Sequence, residues 1–357
     1  MIRTQKGYFY EEFLSKKFVA LAWNIIDQHS DFSDSSRERL KDSILIEFPE
    51  INRPSTVINK CAHFIFEVKA GDILVIPSKG SQYITFAIAG EYFEDSSKSV
   101  KLEKEVIYRI KNNDVDINDV SCPYKKRRRI KLLRTIKSEY INYSLYRAIS
   151  NYHGISNLDA YSRQILNHLY NYYSFNNDVV LVYDIWKNGS IKPRELNGLL
   201  YGSTECLARM VPEDNIYTQI SLHSPGDVVF ILKQAYDIIK DNWVVLFGLL
   251  IFLGGGSVLT FKVPGLIDIV KNILSAPLDI KLKKHETDLK ELEVLEKRVE
   301  IYNKIKSSGI KPEDLEASLK IMCTSAESMQ AEPIILGDDA SILPVDDAEI
   351  SEITETE

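Results

Sequence analysis

Apolar positions in the first 240 residues follow two rhythms, strand alternation and helical spacing, and together they predict two small folded units. Phe18 to Ile26 is an apolar run suited to a buried strand. Gly71-Asp72 turns the chain into a strand at Ile73 to Pro77, and Ile84 to Tyr92 supplies its partner. Lys125 to Ile136 alternates basic and aliphatic side chains, as expected of a strand with one buried and one charged face. Ser33 to Ile46 reads as a helix opened by Ser33 and Asp34, and Thr56 to Val68 as a second with Ile58, Ala62, Ile65 and Phe66 on one side. The implied first unit is a small mixed barrel with helices in its crossings. A second α/β unit follows, with strands at Asp178 to Trp186, Ile216 to His223 and Val228 to Leu232 and a helix over Lys192 to Leu207.

Trp243 to Phe261 then runs 19 residues without a charge. At about 1.5 Å per residue this is about 28 Å of helix, close to the hydrocarbon thickness of a bilayer. Trp243 suits one membrane interface, and Gly254-Gly255-Gly256 suits close helix approach or a bend. The run predicts one membrane segment, spanning or re-entrant, and a buried core helix is the alternative. Lysines just beyond it conflict with a simple crossing from a cytosolic N-terminus, because positive charge favours the cytosolic side. Past a short apolar helix at Leu266 to Leu274, Leu278, Leu282, His285, Leu289, Leu292, Val299 and Tyr302 recur with coiled-coil spacing. The predicted divisions are 1–165, 166–240, a membrane segment at 241–275, an oligomerising helix at 276–310 and a flexible tail at 311–357, acidic from about Gln330. The fold class expected is therefore an α+β multidomain membrane protein.

The net charge of -7 over 357 residues hides an uneven distribution. Lys125, Lys126, Arg127, Arg128 and Arg129 are consecutive, and Lys131 follows. Four scattered cysteines point to a reducing compartment without disulfides or a zinc site. No apolar leader opens the chain. The six histidines lack metal spacing, no Gly-x-Ser-x-Gly turn occurs, and no glycine-rich loop precedes Lys-Ser or Lys-Thr. Glu50, Glu67 and Lys69 imitate a nuclease pattern, but the second acid and the lysine fall at a helix end rather than on a strand. No enzyme and no cofactor is expected.

Several blocks agree in order with one known family. Phe18-Val19-Ala20 with Trp23, Gly71-Asp72 before Ile73 to Pro77, Ser78-Lys79, Ala89-Gly90-Glu91, and Arg127 to Lys131 followed by Leu133 resemble the EVE-like modules of the PUA superfamily. Those modules open bacterial restriction and phage-defence proteins. The resemblance spans roughly residues 15 to 165 and implies a PUA/EVE-like β-barrel that contacts nucleic acid. Trp23, Lys79, Lys125, Lys126, Arg127, Arg128, Arg129 and Lys131 are the binding residues it implies, and each phosphate contact would steepen the salt dependence. Leu133 stands where these modules have a tryptophan, which removes one aromatic wall for a flipped base.

The whole organisation is similar to Hailong-type defence channels, whose membrane subunit is a tetramer held shut by single-stranded DNA oligomers from a companion nucleotidyltransferase. This resemblance implies an anti-phage effector in the bacterial inner membrane with its N-terminal units in the cytoplasm. It would form a homo-oligomeric, tetrameric channel gated by DNA, with membrane lipid and the nucleotidyltransferase as further partners. Trp243, Gly254, Gly255, Gly256, Ser257 and Thr260 would line the membrane path. The alternative is a membrane-tethered module that recognises modified or foreign DNA and recruits a nuclease.

Overall fold

The computed structural model describes residues 1–112, 120–150, 154–187, 189–221, 226–239, 318, 321–322, 324–326 and 328–332. These fall into two compact units that meet in sequence at Tyr161 and Ser162.

The first unit is built on four antiparallel strands, β1 (Phe18–Leu21), β2 (Ile73–Pro77), β3 (Tyr83–Glu94) and β4 (Lys126–Lys137), in the order β1-β4-β3-β2. Around them lie α1 (Tyr10–Lys16), α2 (Asp34–Glu47), α3 (Pro54–Ala62), α4 (Val100–Lys111) and α5 (Tyr143–Ser150). Pro54 occupies the first turn of α3, where its missing N–H costs nothing. Ser99 caps α4, its hydroxyl accepting the N–H of Leu102 at 3.2 Å. Phe9, Phe13, Val19, Ile44, Ile58, Phe64, Ile76, Ala87 and Tyr124 are buried in one core between sheet and helices. Gly7, at φ 83°, is required where the N-terminal turn meets the turn after β2. A Cβ there would sit 2.6 Å from the Ser78 carbonyl carbon.

Three expectations for this unit are corrected. The barrel is an open four-stranded sheet. The strand expected over residues 18 to 26 stops at Leu21, because Trp23 turns into the left-handed region at φ 67° and the chain leaves the ladder. The helix expected to end at Val68 is α3 plus one π-helical turn at His63–Glu67, which leaves Phe66 exposed rather than on the apolar side.

The second unit has α6 (Ser162–Asn167), β5 (Tyr172–Phe175), β6 (Asp178–Ile185), α7 (Pro193–Leu207), β7 (Ile216–Ser221), β8 (Gly226–Leu232), α8 (Tyr236–Ile239) and β9 (Ala331–Glu332). The strand order is β5-β6-β8-β7, with β9 also on β6 and every pair antiparallel. Asn176 and Asn177, both at positive φ, make the two-residue turn between β5 and β6, a role that suits asparagine. One face of the sheet carries Val179, Leu181, Tyr183, Val228 and Phe230 against Leu199, Cys206, Met322, Ala326 and Met329. The other carries Tyr173, Val180, Val182, Val229 and Ile231, with Leu166 and Tyr170 over them.

The described residues between 318 and 332 therefore belong to a folded core, although they fall in the stretch drawn as a flexible tail from residue 311. Met322 and Met329 are buried, and β9 pairs with Asp184 and Ile185. Gly202 of α7 lies so close to this returning segment that a Cβ would meet the Ser318 carbonyl oxygen at 2.6 Å and the Met322 Cβ at 2.7 Å.

The membrane-protein fold class is also corrected, and with it the expected transmembrane channel. Among the described residues no helix is long and apolar enough to cross a membrane. Trp243, Gly254, Gly255, Gly256, Ser257 and Thr260, the expected coiled coil and residues 333–357 of the acidic end lie outside the described residues.

Candidate nucleic-acid interface

The loop that leaves β1 is held by more buried polar contacts than any apolar packing requires. Glu103 of α4, 2% exposed, accepts the N–H of Trp23 at 2.6 Å and that of Asn24 at 2.7 Å. Lys126, 0% exposed, donates to the carbonyl of Trp23 at 2.6 Å and to that of Ile26 at 2.7 Å. Asn24 is buried and fully used: its amide donates to the Pro123 and Ser99 carbonyls, and its oxygen accepts the N–H of Lys125. Just beyond, Lys125 pairs with Asp27 at 2.9 Å and Glu94 at 3.0 Å. One carboxylate thus takes the loop's N–H groups and one ammonium its carbonyls.

Burial pushes the Glu103 carboxyl above the usual carboxylate range, against the opposing pull of the two N–H donors and of Lys126. Burial likewise lowers the pKa of Lys126, against the raising influence of Cys61 and Glu103. Lys125 differs. Burial opposes its charge too, but Asp27 and Glu94 outweigh that cost and hold its pKa above the ordinary lysine value.

What this scaffold supports is Trp23, a bulky residue in a backbone region that costs it roughly 1–2 kcal/mol. Its ring is half-buried, and the Lys60 ammonium of α3 sits 5.9 Å from the ring centroid. Farther along the α3 segment, Phe66 is 54% exposed and packs edge-on against Phe32 at 5.4 Å. His63 and Glu67 pair across the π turn. The loop and the helix beside it thus offer aromatic and cationic groups together.

The basic run divides between scaffold and surface. Arg128 is buried and donates to the carbonyls of Phe64, Ile65 and Gly90, so it ties the π turn to the sheet. Its guanidinium also lies 6.0 Å from the Phe64 ring centroid and 5.6 Å from that of Tyr92. Arg127 donates to the Tyr124 and Cys122 carbonyls, pairs with Asp95 at 3.0 Å and covers Phe18. Arg129 is exposed, its guanidinium 4.6 Å from the Phe93 centroid, and Lys131 is half-buried. Lys126 and Arg128, expected to contact phosphate, point inward instead. The alternation of β4 was legible, but its buried face begins with the cations rather than the aliphatics.

Lys79 is exposed in the turn after β2, its ammonium 5.8 Å from the Tyr8 ring centroid. It lies near the Tyr83–Lys137 end of the sheet, whereas Trp23 follows Leu21 at the Lys126 end. At about 3.3 Å per residue, β4 separates those ends by on the order of 30 Å. The structure does not bring Lys79 and Trp23 together.

Glu103, Asn24 and Lys60 are site residues that the sequence reading missed. The available signal was α4 itself, with Ser99 as cap and apolar residues at 102, 106, 107 and 110. The described cysteines Cys61, Cys122 and Cys206 are all buried, and burial raises the first two thiols to about 11 and about 12, which makes them poor nucleophiles. No family model, curated protein or solved structure matches the chain.

Proposed function

We propose that the first unit is a nucleic-acid-reading module in which Trp23 stacks on an unpaired or flipped base, with Lys60 supplying positive charge beside it. The observation that carries this reading is the left-handed backbone of Trp23, fixed by Glu103 and Lys126. Strain of this kind at a bulky residue persists only where the surroundings over-determine it, and it concentrates at ligand-contacting positions. The resemblance of residues 15 to 165 to EVE-like modules supports nucleic acid as the target, whereas Leu133, in place of their tryptophan, weighs against modified-base reading. The module binds and does no chemistry of its own. Lys125, Lys126 and Arg128 act here as the frame of the site, and Arg129 remains as an accessible cation.

The test is Trp23→Gly. Glycine keeps the φ of 67° without strain and removes the ring. Fluorescence anisotropy with labelled single-stranded DNA, and with duplexes carrying modified bases, should show binding weakened roughly 10- to 100-fold, the range expected for one lost stacking contact. Equal affinity of the parent and variant chains for all these probes would remove the basis of the proposal.

A further inference from the structure

We infer that β7 is a self-association edge, through which two copies of this chain join antiparallel into one continuous sheet. β7 has β8 on one side and, among the described residues, no strand on the other. Its register with β8 runs without a bulge from Ile216 opposite Leu232 to Ser221 opposite Asp227. The strand reads Ile-Tyr-Thr-Gln-Ile-Ser, with no charge and no proline. Natural sheets blunt a free edge with charge, proline, bulges or extreme shortness. β7 has none of these over six residues.

Both faces of the edge expose apolar side chains. Tyr217, 46% exposed, lies opposite Ile231 on the face that packs with Leu166 and Tyr170. Ile220, 45% exposed, lies opposite Val228 on the face that packs with α7. A strand added at this edge would cover both.

The occupant that suits the edge is a second β7. The six residues carry no charge of their own, so two copies meet with no like-charge pair along the strands; the Lys233 ammonium, 4.1 Å from the Tyr217 ring centroid, is already engaged with that ring. A two-fold axis normal to the sheet keeps equivalent faces together, so it must pair residues of matching alternation. Centred on Thr218, it sets Ile216 against the partner's Ile220, Tyr217 against the partner's Gln219 and Thr218 against itself. Isoleucine pairs and a threonine pair are favourable cross-strand combinations. The contact is isologous and closes as a dimer.

Sedimentation of the full chain tests the inference, with twice the 40.9 kDa chain mass expected. Thr218→Lys sets two ammonium groups face to face and should raise the dissociation constant about tenfold or more, while Thr218→Val should leave it nearly unchanged. Circular dichroism checks that both variants stay folded. Thr218→Cys tests the register independently of stability. Directly opposed residues come within disulfide reach, so mild oxidation should give a covalent dimer at position 218. Tyr217→Cys, displaced from its own copy by two residues, should not cross-link. A monomeric parent, or a dimer that survives Thr218→Lys and gives no cross-link at 218, overturns the inference.

Discussion

Replacing Lys126 by methionine separates the two roles that a basic strand can play. Methionine matches lysine in length and suits an apolar site, so the change removes the ammonium and little else. The Ile26 carbonyl then loses the Lys126 donor, and the Trp23 carbonyl keeps only the N–H of Ile26 at 3.0 Å. A buried acceptor left without its donor costs about 1–3 kcal/mol, and the loss of a cation near buried Glu103 adds to this. Relief from burying the ammonium offsets part of it, so a net loss of about 3 kcal/mol is expected. The assay is hydrogen exchange in the full chain, read at β1 and β4 amides such as Val19 and Arg128, because the chain has two units and bulk unfolding would mix them. Protection should fall on the order of 100-fold, and the Trp23 and Asn24 amides should lose most. In the double variant with Glu103→Gln the two losses should be less than additive by about 1 kcal/mol, since each change removes what made the other costly. Unchanged protection in Lys126→Met, or strict additivity in the double variant, would refute the idea that this lysine is part of the frame rather than a phosphate ligand.

Three further outcomes follow from the same geometry. Arg128→Ala should destabilise the first unit by several kcal/mol, because three carbonyls, those of Phe64 and Ile65 buried, lose a charged donor, whereas Arg129→Ala should leave thermal stability within about 0.5 kcal/mol and only weaken DNA binding. Gly202→Ala should cost about 1–3 kcal/mol in denaturant titration of the second unit, since its Cβ meets backbone; Gly198→Ala, which chiefly meets the movable Ser325 hydroxyl, should cost less. Asp227 has its pKa raised to about 6, first by burial and then by Asp184 opposite it on β6, while Asn167 and Ser221 hydrogen-bond to it and lower the value. A raised carboxyl pKa makes the fold most stable below the ordinary value near 3.8, with stability lost as the pH climbs to about 6 and constant above that. The loss is at most about 3 kcal/mol, and Asp227→Asn should abolish that slope and raise stability at pH 7; an unaltered pH profile would contradict it.

Most strands of both units were legible, because alternation and short apolar runs are local signals. Asp178 to Ile185, Ile73 to Pro77 and Tyr83 to Glu94 fall within a few residues of the sequence reading. What failed was long-range. Nothing local marks the return of Ser318 and Met322 to α7, since the fit depends on Gly202 having no side chain where Met322 arrives. Trp23 sits inside an apolar run and reads as the middle of a strand, and only Glu103, 80 positions later, turns it out of the ladder. The basic run misled for a related reason. Charge in sequence suggests solvent, but a guanidinium that finds three carbonyls, or an ammonium that finds two, is satisfied inside.

The same point bears on why the loop after β1 is built from ions at all. Buried charges contribute little net stability, because desolvation consumes most of what their attraction returns, and an apolar cluster would hold a loop as firmly. What an apolar cluster lacks is direction. Glu103 accepts only from N–H groups and Lys126 donates only to carbonyls, so between them they select one arrangement of the peptide groups of Trp23, Asn24 and Ile26. That arrangement puts a tryptophan where a glycine would be favoured. A sequence under pressure for stability alone would place glycine at 23 and apolar residues at both 103 and 126, since either ion left without the other is costly. Retaining an indole at this backbone angle, on an ionic frame that does little for overall stability, makes sense if the ring's position is itself what the frame serves, and that is the inference the Trp23→Gly binding measurement puts at risk.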